Sequence, residues 1–304
     1  MFIRQLNYLV TLAKEQHFAR AAELCNVSQP ALSSAIRSLE TELGLLIVKR
    51  GRRFLGFTEE GERILGWARE TIAALDHMRQ DALGARALTG TIRIGVIPTT
   101  MPIVNLLLAT CREEHAMLRY SVRSLSSAAI LRQLDDYDLD IGFTYLDDET
   151  QAGFDVLPLY RERYVLVSPS GSGEGACSGV GRWDAVGGLQ FGLLDSSMQN
   201  RQVINAAFRR AAVEPNVILE ADSLLTLIAN VQHARLHTVL PHSVLSIVDT
   251  THQVDVTPLK PEVTREIGLI TRNLPSRPRH VSAMWEAAKQ LDLQDSFDAL
   301  LDRA

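Results

Sequence analysis

A small all-α head of winged helix-turn-helix type, a long connecting helix and a larger α/β body of two similar subdomains make up the fold class that the sequence predicts. Three observations predict it. Residues 1–58 hold 8 Lys+Arg against 4 Asp+Glu while the remainder carries 23 against 32, so a basic head sits on an acidic body in a chain of net charge −5. Such asymmetry is expected of a nucleic-acid-binding domain joined to something else. Two short helical patterns separated by a turn fall inside that head. From Thr91 onward, apolar strand-like runs alternate with helical ones, the pattern of a parallel sheet. At 304 residues and 46% hydrophobic, the chain can bury more than one core, which excludes disorder and collagen-like structure.

In the head (1–58), Leu6, Leu9, Val10 and Ala13 share one face of a first helix. The run FARAAELC from Phe18 predicts a short second helix whose small residues allow close approach to a neighbour. Asn26-Val27-Ser28 breaks it. Ser28 suits an N-cap and Pro30 a first helical turn, and Leu32, Ile36, Leu39 and Leu43 continue an apolar stripe up to Gly44. Two helices joined by a turn place the second in the DNA major groove, polar side chains toward base edges. Its outward face carries Gln29, Ser33, Ser34 and Arg37. Gln pairs with adenine, Arg with guanine, and Ser with either base or phosphate. Leu45–Val48, the basic turn Lys49-Arg50-Gly51-Arg52-Arg53 and the return Phe54–Phe57 predict a two-stranded wing whose cations suit phosphate or a narrow minor groove.

Residues 59–89 form the connector. Thr58 caps a helix that opens on Glu59 and Glu60, charges matched to the positive helix start. Leu65, Ala68, Ile72, Leu75 and Ala82 follow alternating steps of three and four, with Arg79 at the one position where the pattern calls for an apolar residue, so roughly 30 residues, ~45 Å of helix, offer a dimerisation seam. Thr89-Gly90 ends it.

The body (90–304) reads as two subdomains, 90–162 plus 266–304, and 163–265. TIRIGVI, LRYSVRS and LDIGFTY are strands of the first, separated by helices starting near Thr100 and Ser126. ERYVLVS, LQFGLLD, NVILEA and HTVLP belong to the second, with helices near Ser197 and Ser223. Strands near Asp255 and over Glu266–Thr271 precede one last helix, Arg279–Leu300. Ligands of open α/β sheets bind beyond the carboxyl ends of strands. The residues there are Thr99 and Thr100, Ser126 and Ser127, Phe143 and Tyr145, and Ser196 and Ser197, with Arg201 a turn further on. Converging helix starts favour a small anion or carboxylate, and few aromatics argue against a large ring.

Other chemistries find little support. The cysteines, Cys25, Cys111 and Cys177, form neither a disulfide framework nor a zinc motif, and the histidines are scattered, so no metal is expected. The acidic run Asp135–Asp140 reads as a solvated turn. No nucleophile elbow, P-loop or dinucleotide fingerprint occurs, so neither an enzyme nor a cofactor is expected. With no apolar run of ~20 residues and no leader-like start, the expected location is cytoplasmic, away from membranes.

The run QLNYLVTLAKEQHFARAAELCNVSQPALSSAIRSLETELGLLIVKRGRRFLGFTEEGERIL resembles the N-terminal domain of the LysR-type transcriptional regulators, through AAELCNVSQPALS, IRSLETELG, an Arg-containing wing and T-x-E-G opening a helix. The body resembles the same family's effector domain, itself similar to periplasmic binding proteins. The resemblance implies a homo-oligomeric regulator, a dimer assembled into a tetramer, that binds a double-stranded DNA operator, answers to a small-molecule effector and can contact RNA polymerase. By it, Gln29, Ser33, Ser34 and Arg37 read bases beside Pro30, while Ser28, Arg50, Arg52 and Arg53 hold the backbone or minor groove. Ser34 stands where many members carry Arg, and Ile47-Val48 replaces the common Leu-Phe. The stretch RRFLGFTEEGERILGWARE also resembles regulators found near formate dehydrogenase genes, which suggests formate as effector. Two alternatives are a cytoplasmic small-molecule binding protein, disfavoured by the complete head, and a redox-sensing regulator using Cys111 and Cys177, to which the sequence brings no activating cations.

Overall fold

The computed structural model describes residues 1–49, 51, 53–83, 88–147, 153–171, 181–248, 254–274 and 277–303. Two compact units result, Met1–Arg86 and Ala87–Ala304.

In the first unit, α1 (Ile3–Glu15), α2 (Phe18–Leu24) and α3 (Gln29–Leu43) surround a core of Leu6, Leu9, Leu12, Ala21, Ala22, Leu32, Ile36 and Leu39. Local chemistry sets each boundary. Asn26 takes the left-handed conformation, φ 53°, that an Asn tolerates in the turn. Ser28 Oγ accepts the Ala31 N–H at 3.3 Å to cap α3, and Gly44, φ 69°, ends it. Thr58 Oγ1 accepts the Gly61 N–H at 2.9 Å, opening α4 (Glu59–Leu83). The glycine of the T-x-E-G motif has a steric cause. A Cβ on Gly61 would lie 2.1 Å from the Ile47 carbonyl oxygen, because α4 starts directly against the wing. The wing arms pair through Lys49 N–H to Gly56 O (3.0 Å) and Thr58 N–H to Ile47 O (2.9 Å), with a bridge between Val48 and Phe57. Arg50 and Arg52 lie outside the described residues.

The expected dimer seam is altered here. Leu65 and Ala68 are 2% and 1% exposed within the head's own core, Ile72 packs against it and Leu75 is half-buried. An apolar stripe requires a cover, and α1 supplies it for the first turns of α4. The opposite face leaves Trp67 67% and Met78 61% exposed, with Thr71 and Ala74 exposed between them.

In the second unit the main sheet runs β2 (Leu118–Ser124), β1 (Gly90–Val96), β3 (Ile141–Tyr145), β10 (Thr264–Arg272), β4 (Phe154–Pro169), β9 (Val254–Lys260), β5 (Gly181–Arg182). β1 is parallel to β2 and β3. The 16-residue β4 joins two halves: its first part pairs with β10, its last with β8 (Thr238–Pro241) and β9. A separate parallel pair, β6 (Gln190–Leu194) and β7 (Asn216–Ala221), completes the second half. Helices α5 (Val104–Glu114) and α6 (Ser127–Asp135) serve the first half, and α7 (Gln199–Arg210) and α8 (Leu224–Ala234) the second.

Three local expectations change. The chain after β1 enters a 3₁₀ turn, Pro98–Ile103, so Thr100 does not start an α-helix. The last helix is two, α9 (Arg279–Lys289) packed on α5 and α10 (Leu293–Arg303) packed on the His242–Ile247 turn and β4, and separate partners require the break. The acidic turn is not wholly solvated either, since Asp140 accepts from the Arg93 backbone and guanidinium at 2.6–3.1 Å. Among the described residues, no helix is long and apolar enough to cross a membrane.

Candidate functional site

The head presents one concave surface between α3 and the wing. Gln29, Ser33 and Arg37, spaced by four, project from one stripe of α3 and line it together with Lys49, Gly51 and Arg53. Ser34, one position round the helix, is exposed but does not line it. Ser28 is engaged as the α3 cap and Pro30 occupies its first turn. A contributor the sequence does not single out is Glu40, whose Oε1 accepts the N–H groups of Ile47 (2.8 Å) and Val48 (3.0 Å), fixing the wing to the recognition helix. Glu40→Ala leaves both donors unmatched, a loss of ~1–3 kcal/mol per buried group. It should lower the head's melting temperature and weaken DNA binding, whereas Glu40→Gln, which keeps an acceptor, restores most of both. Equal melting of all three proteins would show the bonds to be idle.

In the body, a cleft between the two halves has an outer, mainly apolar part that includes Ser126, Ser197, Met198 and Leu225. At its floor is a chamber of about 10 Å³, room for roughly one water, lined by Thr99, Ser126, Ser127, Tyr145, Gln199 and Asn200 among others. Thr99 and Asn200 are 1% and 4% exposed, and Thr99 Oγ1 and both Asn200 amide atoms make no hydrogen bond of normal geometry. All adjoin the Tyr145 hydroxyl. Ser127 Oγ accepts from Thr144 at 3.0 Å, and Ser126 caps α6.

Four expected residues are elsewhere. Thr100 is fully buried, its hydroxyl donating to Ile97 O at 3.1 Å. Phe143, 1% exposed, belongs to the core of the first half, and Ser196 is exposed outside both cavities. Arg201 is tied to Leu194 O (2.9 Å), Asn205 (2.9 Å) and Glu220 (2.9 Å), stitching α7 to β6 and β7. Ser197 is also a poor place for an anion. Asp195 Oδ1 accepts both its N–H (2.9 Å) and its hydroxyl (2.6 Å), which holds the Asp195 carboxyl below the usual carboxylate range and places a negative charge at that loop.

Behind Tyr145 lies a carboxyl that the sequence did not mark. Glu162 is fully buried, its Oε1 accepting the Tyr164 hydroxyl at 2.7 Å, while Tyr145 and Tyr164 hydroxyls sit 3.3 Å apart. Burial pushes the Glu162 pKa up to about 7 against the opposing hydrogen bonds of the two tyrosines. Cys111 is 0% exposed and burial raises its pKa, which keeps it a protonated thiol; Cys177 lies outside the described residues.

Residues 3–62 match the family described as bacterial regulatory helix-turn-helix protein, lysR family, and residues 85–292 match the LysR substrate binding domain. The chain is 30% identical over 308 residues, all of both chains, to the DNA-binding transcriptional dual regulator OxyR of Escherichia coli K12. It is 31% identical over 276 residues to a hydrogen peroxide-inducible genes activator of Haemophilus influenzae, covering 90% of this chain and 91% of that one. Full-length OxyR from Pseudomonas aeruginosa, solved as a cysteine-to-aspartate variant, has 25% identity and a TM-score of 0.72 over 97% of each chain. These relatives are named as regulators of transcription, not as enzymes. With a winged helix-turn-helix head and a two-lobed effector-binding body, the chain belongs to the LysR family and is a DNA-binding transcriptional regulator.

Proposed function

We propose that this regulator reads its operator through Gln29, Ser33 and Arg37, holds the DNA backbone through Lys49 and Arg53, and is switched by a small polar molecule at the cleft floor. The single observation that carries the DNA reading is the shared concave surface of the α3 stripe and the wing cations. Arg50 and Arg52 are assigned to the same backbone role on their place in the basic turn, and Ser34 to a peripheral one. The protein acts as a dimer joined along α4, assembled further into a tetramer, and its promoter-bound form is the one that meets RNA polymerase. The exposed Trp67–Ala74–Met78 face supports dimerisation there, in place of Leu65 and Ala68, which the head uses itself.

The test is a titration of selected operator and random DNA across salt. Lys49→Ala with Arg53→Ala weakens both DNAs alike and reduces the slope of log affinity against log salt by ~0.9 for each phosphate no longer neutralised. Gln29→Ala costs ~1–3 kcal/mol on the operator alone. An unchanged salt slope in the first variant, or equal losses on both DNAs in the second, contradicts the assignment.

For the effector, Thr99, Ser126, Ser127, Tyr145 and Asn200 supply the contacts, since they line one chamber shared by the two halves. A ligand there biases the angle between the halves, and only one with unequal affinity for the two arrangements alters operator binding. The hydrogen-peroxide relatives suggest thiol sensing as a second reading, but the buried, high-pKa Cys111 favours ligand sensing.

A further inference from the structure

We propose that the chamber at the cleft floor selects an uncharged molecule that donates a hydrogen bond, over an anion of the same size, and that Glu162 sets this preference through Tyr145. The preference rests on the effector reading above and goes beyond it by fixing the ligand's chemical class.

Where the protons lie around Tyr145 decides the polarity of the chamber. Thr99 can donate or accept, and the Asn200 amide can turn either end toward a ligand, so neither fixes polarity. Tyr145 has one proton. Its hydroxyl neighbours inside the protein are the Glu162 carboxyl and the Tyr164 hydroxyl. Tyr164 already donates its one proton to Glu162 Oε1, so its oxygen is left to accept from the Tyr145 hydroxyl 3.3 Å away, and Glu162 Oε2 makes no hydrogen bond of normal geometry. An ionised carboxylate only accepts, so Tyr145 turns its proton inward and offers the chamber a lone pair. A ligand O–H or N–H meets that lone pair; a carboxylate meets a second acceptor, with a negative charge one side chain behind it. No compensating cation lines the chamber among the described residues, and Arg201 is held on β6, Asn205 and Glu220. The groups that face Glu162 are Tyr145 from β3, Tyr160 and Tyr164 from its own strand, and Arg265 from β10. Measurements at pH 8.5, above the Glu162 value of about 7, therefore see it charged.

Formamide and formate are matched probes, equal in non-hydrogen atoms and different in donors and charge. With three such atoms each exceeds a one-water chamber, so only its polar end enters beside Tyr145 while the remainder lies in the outer cleft, which Ser126 and Met198 share with the chamber. Ligand-observed NMR on the full-length protein reads their binding, with dissociation constants on the order of millimolar or weaker for so few atoms. The wild type should bind formamide at least about tenfold more tightly than formate, the discrimination that one mismatched polar pair provides. Glu162→Gln puts an amide donor behind Tyr145 and should erase or reverse the ratio, an outcome that mere loosening of the fold does not produce. Tyr145→Phe, a second variant should the first fail to fold, weakens formamide and binds formate at least as well as the wild type does, since the opposing acceptor is gone. Formate binding the wild type as well as formamide does, or a ratio unchanged in Glu162→Gln, overturns the inference while Asn200→Ala still shows whether the chamber is the site. Binding of neither probe to the wild type, or binding untouched by Asn200→Ala, overturns the effector reading and this inference with it.

Discussion

Replacing Trp67 and Met78 with aspartate is expected to turn the proposed dimer along α4 into monomers with a folded head, and to lower operator affinity by a factor on the order of 10² to 10⁴ through lost bivalency. Both side chains lie largely in solvent on the face of α4 away from the head's core. A Trp at such a position buries a large apolar area only when a second helix covers it. Leu65→Ala should do the opposite. At 2% exposure inside the head, its loss costs ~2–5 kcal/mol of head stability, without a direct effect on subunit contacts. Sedimentation and thermal melting of both variants separate the two effects. An intact dimer in the Trp67, Met78 variant would move the interface off this face of α4.

A second large effect is expected from Glu162→Gln on stability. The carboxyl has a folded-state pKa of about 7 against an ordinary 4.5 because burial disfavours its charge. Between those values the folded protein keeps a proton that the unfolded chain has released, so stability falls as pH rises from about 4.5 to 7. The penalty is complete above that range and absent below it. Removing the charge should therefore stabilise the second unit by about 3 kcal/mol more at pH 8 than at pH 4, since each tenfold change in proton affinity corresponds to about 1.4 kcal/mol. Burial pushes His242 in the opposite sense, down to about 4, and cancels because both proteins carry it. Denaturant midpoints at the two pH values measure the difference. A variant whose gain is the same at both would mean that Glu162 is not strained by burial.

Much of the head was legible in the residues alone, because its helices are short, locally capped and governed by a single period. Ser28, Asn26, Gly44 and Thr58 act within a few residues of themselves, so their roles follow from local chemistry. The stripe Gln29, Ser33, Arg37 follows from a spacing of four, which also leaves Ser34 aside. The alternation of strands and helices in the body, and with it the cleft beyond the strand ends, is likewise written in the order of elements.

Only the tertiary structure decided what each buried face meets. The apolar period of α4 shows that Leu65 and Ala68 need a cover, but not whether a partner or α1 provides it. Thr100 and Arg201 have the chemistry of ligand contacts, yet one turns its hydroxyl into the Ile97 carbonyl and the other spends its donors on β6, Asn205 and Glu220. Glu162, between Arg161 and Arg163, reads in sequence as surface charge. The pleat of β4 turns it inward beside Tyr160 and Tyr164, and a hydroxyl from β3 meets it there. Burial and hydrogen-bond partners at that point depend on strands far apart in the chain, and no local pattern encodes them.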